Sequence, residues 1–78
     1  LNVGRASDNE LTLNHASVSK IHAALLMTTE GTILVADTGS TNGTFINGRR
    51  IAYGESRKID EGDVVGFGDV EVRLRKSE

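Results

Sequence analysis

The sequence predicts an all-β domain: an antiparallel β-sandwich of two packed sheets, with its ligand loops at one end and little or no helix. Three observations carry this expectation. Short apolar stretches are interrupted by Gly, Asn, Asp and Ser roughly every eight to ten residues, the spacing of sandwiches and barrels. Glu71-Val72-Arg73-Leu74-Arg75 alternates strictly between charged and apolar side chains, as a half-buried strand does. No segment reads as a long amphipathic helix, and the nearest approach is a turn around Asn14–Val18. With no helix to cover a sheet, two sheets must cover each other.

Strands are expected, in chain order, at Leu1–Gly4, Leu11–Leu13, Ile21–Thr28, Thr32–Asp37, Thr44–Ile46, Arg50–Ala52, Arg57–Ile59, Asp63–Phe67 and Glu71–Arg75. The first ends at a Gly-Arg pair, and the two longest are joined at Glu30-Gly31. Thr44–Ile46 is bracketed by Asn42-Gly43 and Asn47-Gly48. Asn-Gly is the strongest short hairpin signal, because both residues tolerate positive φ. Two such turns so close together make one loop cluster polar and rigid, and function is expected there.

The 78 residues form one domain, 1–78, with one core. Hydrophobic residues make up 37% of the chain, with one Tyr, two Phe and no Trp, so the core must come from Val, Ile and Leu. The absence of Cys removes disulfides and thiolate metal sites as staples, and fits a reducing, intracellular and most simply cytoplasmic setting. Two His with Asp37 nearby do not make a zinc site, so neither metal nor cofactor is expected. The apolar run Ile21–Met27 contains His22 and is too short to cross a bilayer. A net charge of −2 attracts neither nucleic acid nor an anionic membrane, so any anion must be held by a local cluster.

Such a cluster is legible. Gly4-Arg5, Ser19-Lys20-Ile21-His22, Ser40-Thr41-Asn42-Gly43 and Asn47-Gly48-Arg49-Arg50 bring guanidinium and ammonium groups, hydroxyls, amides and Gly-adjacent N–H groups to the loops. These are the donors a phosphate needs, since it carries nearly two charges and three strong acceptor oxygens at neutral pH. Arg supplies a planar fork and Ser or Thr the remaining donors. Arg49 and Arg50 are consecutive in an extended segment, so at most one faces a ligand. Arg57-Lys58 and Arg73–Lys76 read as solvated strand faces, with little aromatic interleaving to stack bases. His15 reads as a loop residue without a special role, and Asn47-Gly48 mainly as a turn.

In this order, Gly4-Arg5, Ser19-Lys20-Ile21-His22, Gly39-Ser40-Thr41-Asn42-Gly43-Thr44, Asn47-Gly48 and Gly62-Asp63-Val64-Val65-Gly66 resemble the forkhead-associated (FHA) domain, a SMAD/FHA-like sandwich that binds phosphothreonine. The resemblance runs from Leu1 to about Leu74. It implies a phosphothreonine-dependent peptide- or protein-binding module in Ser/Thr-kinase signalling, and no enzyme. Arg5, Ser19, Lys20 and Thr41 are then the phosphate contacts, and Asn42 holds the ligand backbone. Gly4 and Gly43 are conformational, and His22 is a scaffold residue tying the recognition loops together. The loop around Gly66-Phe67-Gly68-Asp69 and the Asn47–Arg50 turn would touch residues after the phosphothreonine.

Two departures from the family pattern stand out. Lys20 replaces a frequent Arg, turning a fork into a point charge of the same sign. The family also has a strand before the Gly-Arg strand, and here only three residues precede Gly4. Either the chain was trimmed or the edge is open, and an open edge invites pairing between chains, so the expectation is a monomer or a weak dimer through an open edge strand.

Two other readings are set against this one. The fold could serve as a structural or phosphate-independent interaction domain, against which Arg5, Ser19, Thr41 and Asn42 argue. Asp37-Thr38-Gly39-Ser40 also spells the box of a homodimeric aspartic protease, in which two carboxylates share a proton. The flap hairpin and later segment of such enzymes are not found, and the box runs on into Thr41-Asn42-Gly43-Thr44.

Overall fold

The computed structural model of the protein describes residues 1–75 and holds nine strands among them. They are β1 (Asn2–Gly4), β2 (Leu11–Thr12), β3 (Ala23–Met27), β4 (Ile33–Asp37), β5 (Thr44–Ile46), β6 (Arg49–Arg50), β7 (Ser56–Ile59), β8 (Val64–Phe67) and β9 (Val70–Arg73). Each overlaps one of the expected segments. No helix occurs among the described residues, and the Asn14–Val18 stretch makes only a turn. Lys76, read with Arg73–Arg75 as part of a solvated face, lies outside the described residues.

The strands form two sheets, ordered β2-β1-β3-β4-β7 and β6-β5-β8-β9. Pairing is antiparallel throughout, except that β1 and β2 run parallel, Val3 opposite Leu11. Parallel neighbours usually need a long crossover. Here β2 is only two residues long, and the return is pinned by Asn9, whose amide donates to the Ala6 and Lys20 carbonyls at 2.8 and 2.7 Å.

The inner faces follow from side-chain alternation. Val3, Ala23, Val35 and Ile59 come from the first sheet and Val65 and Phe67 from the second, with Val18 and Ile51 sealing the loops. Phe67 is the largest wholly buried side chain, and burying a side chain of that kind contributes about 1.5–3 kcal/mol. Along the last strand Val70, Val72 and Leu74 are half-buried while Glu71, Arg73 and Arg75 are exposed, matching the alternation.

The turns divide the sequence signals. Asn47 and Gly48 have φ of 51° and 82°, the two positive values of a type I′ hairpin between β5 and β6. Asn42-Gly43 is different: of the pair only Gly43 has positive φ, at 95°, and the segment carries the chain from β4 in one sheet to β5 in the other. Gly66 and Phe67, expected in a ligand loop, lie buried within β8. Only Gly68-Asp69 forms the turn to β9, because Phe67 is claimed by the core.

Candidate functional site

The site is built where the chain leaves β1. Arg5 donates its backbone N–H to the Ser19 carbonyl at 2.9 Å, and Ala6 donates to Lys20 at 3.2 Å. This packs the β1 exit against the segment before β3 with no space between them. A Cβ on Gly4 would sit 2.2 Å from the Lys20 oxygen and 2.8 Å from Asn9 Nδ2, so the approach itself requires glycine. Arg5 Nε then donates to the Val18 carbonyl at 2.9 Å. One edge of the guanidinium is thereby fixed to the loop, and its other N–H groups bond to no described residue.

His22 ties that corner to the second sheet. It is 0% exposed. Its Nδ1 accepts the Ser19 N–H at 3.0 Å, and its Nε2 lies 2.8 Å from the Gly43 carbonyl. A backbone N–H can only donate and a carbonyl can only accept, so the ring is the Nε2–H tautomer. Phe67 meets it edge-on, with ring centroids 5.8 Å apart. The Gly43 carbonyl also takes the Gly68 N–H at 2.9 Å.

Asp37, at the end of β4, is the second organiser and only 5% exposed. Its Oδ1 accepts the Gly39 and Ser40 N–H groups at 2.8 and 2.9 Å. Its Oδ2 accepts the Ser40 and Thr44 hydroxyls, the latter at 2.7 Å. Ser40 Oγ in turn accepts the Gly43 N–H at 3.1 Å. Burial opposes ionisation, yet the Ser40 and Thr44 hydroxyls and the Ser40 and Gly39 amides together hold the carboxyl below its ordinary value of 3.8. The whole 38–43 loop is wound on this carboxylate. All four lone-pair directions are occupied, so Asp37 shares no proton with a second acid among the described residues, as a protease dyad requires.

Three further bonds complete the cluster. The Thr41 N–H donates to Ser19 Oγ at 3.0 Å, and Asn42 Nδ2 donates to the Ser17 carbonyl at 2.9 Å. Ser17 Oγ accepts the Asp69 N–H at 2.9 Å and stands 2.8 Å from His15 Nδ1. The Ser17 N–H donates to the same nitrogen at 3.1 Å. His15, read as a plain loop residue, therefore braces Ser17, and Gly68-Asp69 braces the loop from behind.

The result is an open cleft of about 490 Å³ whose walls include Arg5, Ser19, Lys20, Thr41 and Asn42, all five expected contact residues. The expected support residues Gly4, His22 and Gly43 do not line it but are buried, with His22 joining Ser19 to Gly43. Ala16 and Ile21 add an apolar wall, and no acidic side chain lines it. Ile21 is 62% exposed there, because the chain turns His22 inward before β3 begins. Arg5, Ser19, Lys20 and Thr41 thus line one volume. They offer donors and positive charge with no competing carboxylate. Asn47 does not join them: its side chain bonds to Asp63 and to the Val64 N–H, which makes it a turn residue.

Sequence reasoning missed Asp37, Ser40 and Thr44 as organisers, and Asn9 and Ser17 with them. The available signal was an Asp followed at the next positions by Thr, Gly and Ser, where a carboxylate collects the amides of its own turn. Among the described residues there is no group of three or more His, Cys, Asp or Glu side chains able to hold a metal ion. No helix among them is long and apolar enough to cross a membrane.

Comparison with known proteins fits this geometry. A family model described as FHA domain matches residues 1–68. The chain is 37% identical over 70 residues to the ABC transporter ATP-binding/permease protein Rv1747 of Mycobacterium tuberculosis, covering 90% of this chain and 8% of that protein. The solved FHA-2 domain of the same transporter superposes with a TM-score of 0.78 at 34% identity, covering 95% of this chain and 65% of that one. The N-terminal FHA domain of Rad53p from Saccharomyces cerevisiae, solved with a phosphothreonine peptide, gives a TM-score of 0.75 at 29% identity. That match covers 82% of this chain and 52% of that one. The chain spans between 8 and 16% of the length of the curated relatives it matches.

Proposed function

This chain belongs to the FHA domain family, and on that premise we propose that it is a phosphothreonine-dependent peptide-binding module acting in Ser/Thr-kinase signalling, with no catalysis of its own. The observation that carries the proposal is the convergence of Arg5, Ser19, Lys20 and Thr41 on one cleft without a carboxylate. A phosphate dianion placed there meets the free edge of a fixed guanidinium, two hydroxyl donors and an ammonium. Charge-assisted bonds of this kind are worth about 1.5–3 kcal/mol each. Asn42, whose Nδ2 is committed to Ser17, keeps its Oδ1 to accept an N–H of an extended ligand. The partner is a phosphothreonine protein or peptide, the ligand class of the Rad53p neighbour, and the setting is intracellular.

Threonine is preferred over serine because its methyl can leave water against the exposed Ile21. Transfer of one methyl is worth about 0.8 kcal/mol, roughly fourfold in affinity. A larger preference would come from a filled pocket and a stiffened χ1. The test is a degenerate phosphothreonine peptide library with matched phosphoserine and unphosphorylated sets, read by fluorescence anisotropy. Equal binding of the unphosphorylated set would overturn the proposal.

The same reading leaves the chain monomeric, or weakly dimeric through β9, which ends its sheet among the described residues. Sedimentation velocity across a concentration series reads this, and a sedimentation coefficient independent of concentration would sink the edge pairing.

A further inference from the structure

The Asn42 side chain is held by an atom of another loop. Its Nδ2 donates to the Ser17 carbonyl at 2.9 Å, between residues 25 positions apart. That bond commits the amide nitrogen to the protein and leaves Oδ1 as the acceptor. The position of the Ser17 carbonyl therefore decides where that oxygen stands. Both residues line the cleft, Asn42 exposed and Ser17 half-buried.

Ser17 is itself fixed from two directions. Its backbone N–H donates to His15 Nδ1 at 3.1 Å. That nitrogen is thus an acceptor, and the Ser17 hydroxyl, 2.8 Å away, donates to it as well. On the other side Ser17 Oγ accepts the Asp69 N–H at 2.9 Å. Gly68 closes the remaining approach. A Cβ built on it would run into the Ser17 carbonyl oxygen and sit 2.8 Å from Oγ, and its φ of 60° is a second demand for glycine. The Gly68 N–H donates to the Gly43 carbonyl at 2.9 Å. The turn between β8 and β9 is thus packed against both attachments of Asn42, the acceptor of its side chain and the next residue of its backbone. Neither Gly68 nor Asp69 lines the cleft, so the path from this turn to a bound peptide runs through Ser17 and Asn42.

We propose that Ser17 is the positioning residue for Asn42, and that Gly68 and Asp69 set its place from the β8–β9 turn. Asn42 then presents one orientation of its amide, and that ordering is met before the peptide arrives rather than during binding. The inference rests on the phosphothreonine reading above and deepens it by naming what makes Asn42 selective for a backbone N–H. Gly68 and Asp69, which the resemblance places against residues after the phosphothreonine, act instead on Ser17.

The experiment uses a phosphothreonine peptide and analogues in which each flanking backbone N–H in turn is replaced by an ester oxygen. Affinities are measured for the wild type, Asn42→Ala, Ser17→Ala, Gly68→Ala and Gly31→Ala. Gly31 has a φ of 83° and nothing within 4 Å of a built Cβ, so its variant carries backbone strain without a neighbour to displace. We expect one position at which the ester weakens wild-type binding roughly two- to tenfold, the worth of one hydrogen bond. Asn42→Ala should abolish that discrimination, Ser17→Ala and Gly68→Ala should lose most of it, and Gly31→Ala should keep it. A general loss of stability weakens peptide and ester alike and leaves their ratio untouched, so the ratio reads positioning. If Gly68→Ala does not fold, Ser17→Ala, which adds no atom, decides the matter. Discrimination that persists in the folded variants at residues 17 and 68, or that vanishes equally in Gly31→Ala, overturns this inference alone. So does a wild type that binds the phosphothreonine peptide yet ignores every ester. Failure of the phosphothreonine peptide itself to bind the wild type overturns the phosphothreonine reading and this inference with it.

Discussion

The Ser19 hydroxyl accepts the N–H of Thr41, 22 residues further along the chain, at 3.0 Å. An oxygen that already accepts from the protein keeps its own proton to donate, so the bond both closes the loop cluster and leaves the Ser19 hydroxyl a donor at the cleft. Ser19→Ala should weaken phosphothreonine binding by about 1–3 kcal/mol. The Thr41 amide it strands is solvent-exposed, so the melting temperature should stay close to wild type. Unchanged affinity in titration calorimetry would remove Ser19 from the site.

Arg5 is anchored through Nε to Val18, and this separates its charge from its shape. Arg5→Lys keeps the charge but loses the anchored fork, and Arg5→Ala loses both. We expect Ala to lower affinity by more than about 1.5 kcal/mol and Lys to fall between Ala and wild type, since hydrogen bonds to charged groups exceed neutral ones. Thermal unfolding should show only a small loss for either. An Arg5→Ala protein that binds within about 1 kcal/mol of wild type would place the phosphate elsewhere.

His22 is wholly buried and bridges Ser19 to Gly43. His22→Ala leaves a cavity beside Phe67 and strands the Ser19 N–H, while the Gly43 carbonyl keeps the Gly68 N–H. The combined cost is about 3–5 kcal/mol, a large share of the stability of so small a domain. Urea denaturation should show it, with binding lost as a consequence of unfolding. A midpoint near wild type would mean that the ring is replaceable by water.

The depressed Asp37 carboxyl links stability to pH. Its folded value lies below its ordinary 3.8, so its contribution is full at neutral pH. That contribution falls away only as pH drops below about 3.8 toward the folded value. Asp37→Asn replaces two acceptor oxygens with one and turns an NH₂ toward existing donors. It should cost about 2–4 kcal/mol at pH 7 and flatten the acid limb of a stability-versus-pH curve. Glu55 and Asp63 are lowered as well, Glu55 first by the Ala52 amide and Asp63 first by the Asp60 amide. They too are held below their ordinary values, so the assignment to Asp37 rests on the difference between variant and wild type. Identical acid limbs would refute it.

Ligand charge supplies a separate pH effect in a different range. A phosphate loses one charge as pH falls through its second pKa, near 6. Peptide affinity should therefore weaken between about pH 7 and 5, while Asp37 keeps the fold intact. A flat binding titration over that range would show that the cleft does not distinguish the dianion from the monoanion.

The strands were legible because each alternation and turn is a property of neighbouring residues. Asn47-Gly48 demanded positive φ, and the chain supplied it there. Glu71–Arg75 alternated, and one face went inward. The candidate contact residues were legible for another reason: Gly4-Arg5, Ser19–His22 and Gly39–Thr44 have recurring spacing and order, and the five candidates among them line one cleft.

What the sequence by itself determined was the set of strands and the chemistry available in the loops, since both are written in local patterns. The tertiary structure alone decided which lone pairs were already taken. Asp37 spells a protease box in one dimension, but folded it is the spool of the 38–43 loop. Arg50 is one of two consecutive arginines in sequence, yet only its guanidinium rests on Gly43. Such facts depend on donors and acceptors brought together from distant positions, and no local pattern encodes which of them meet.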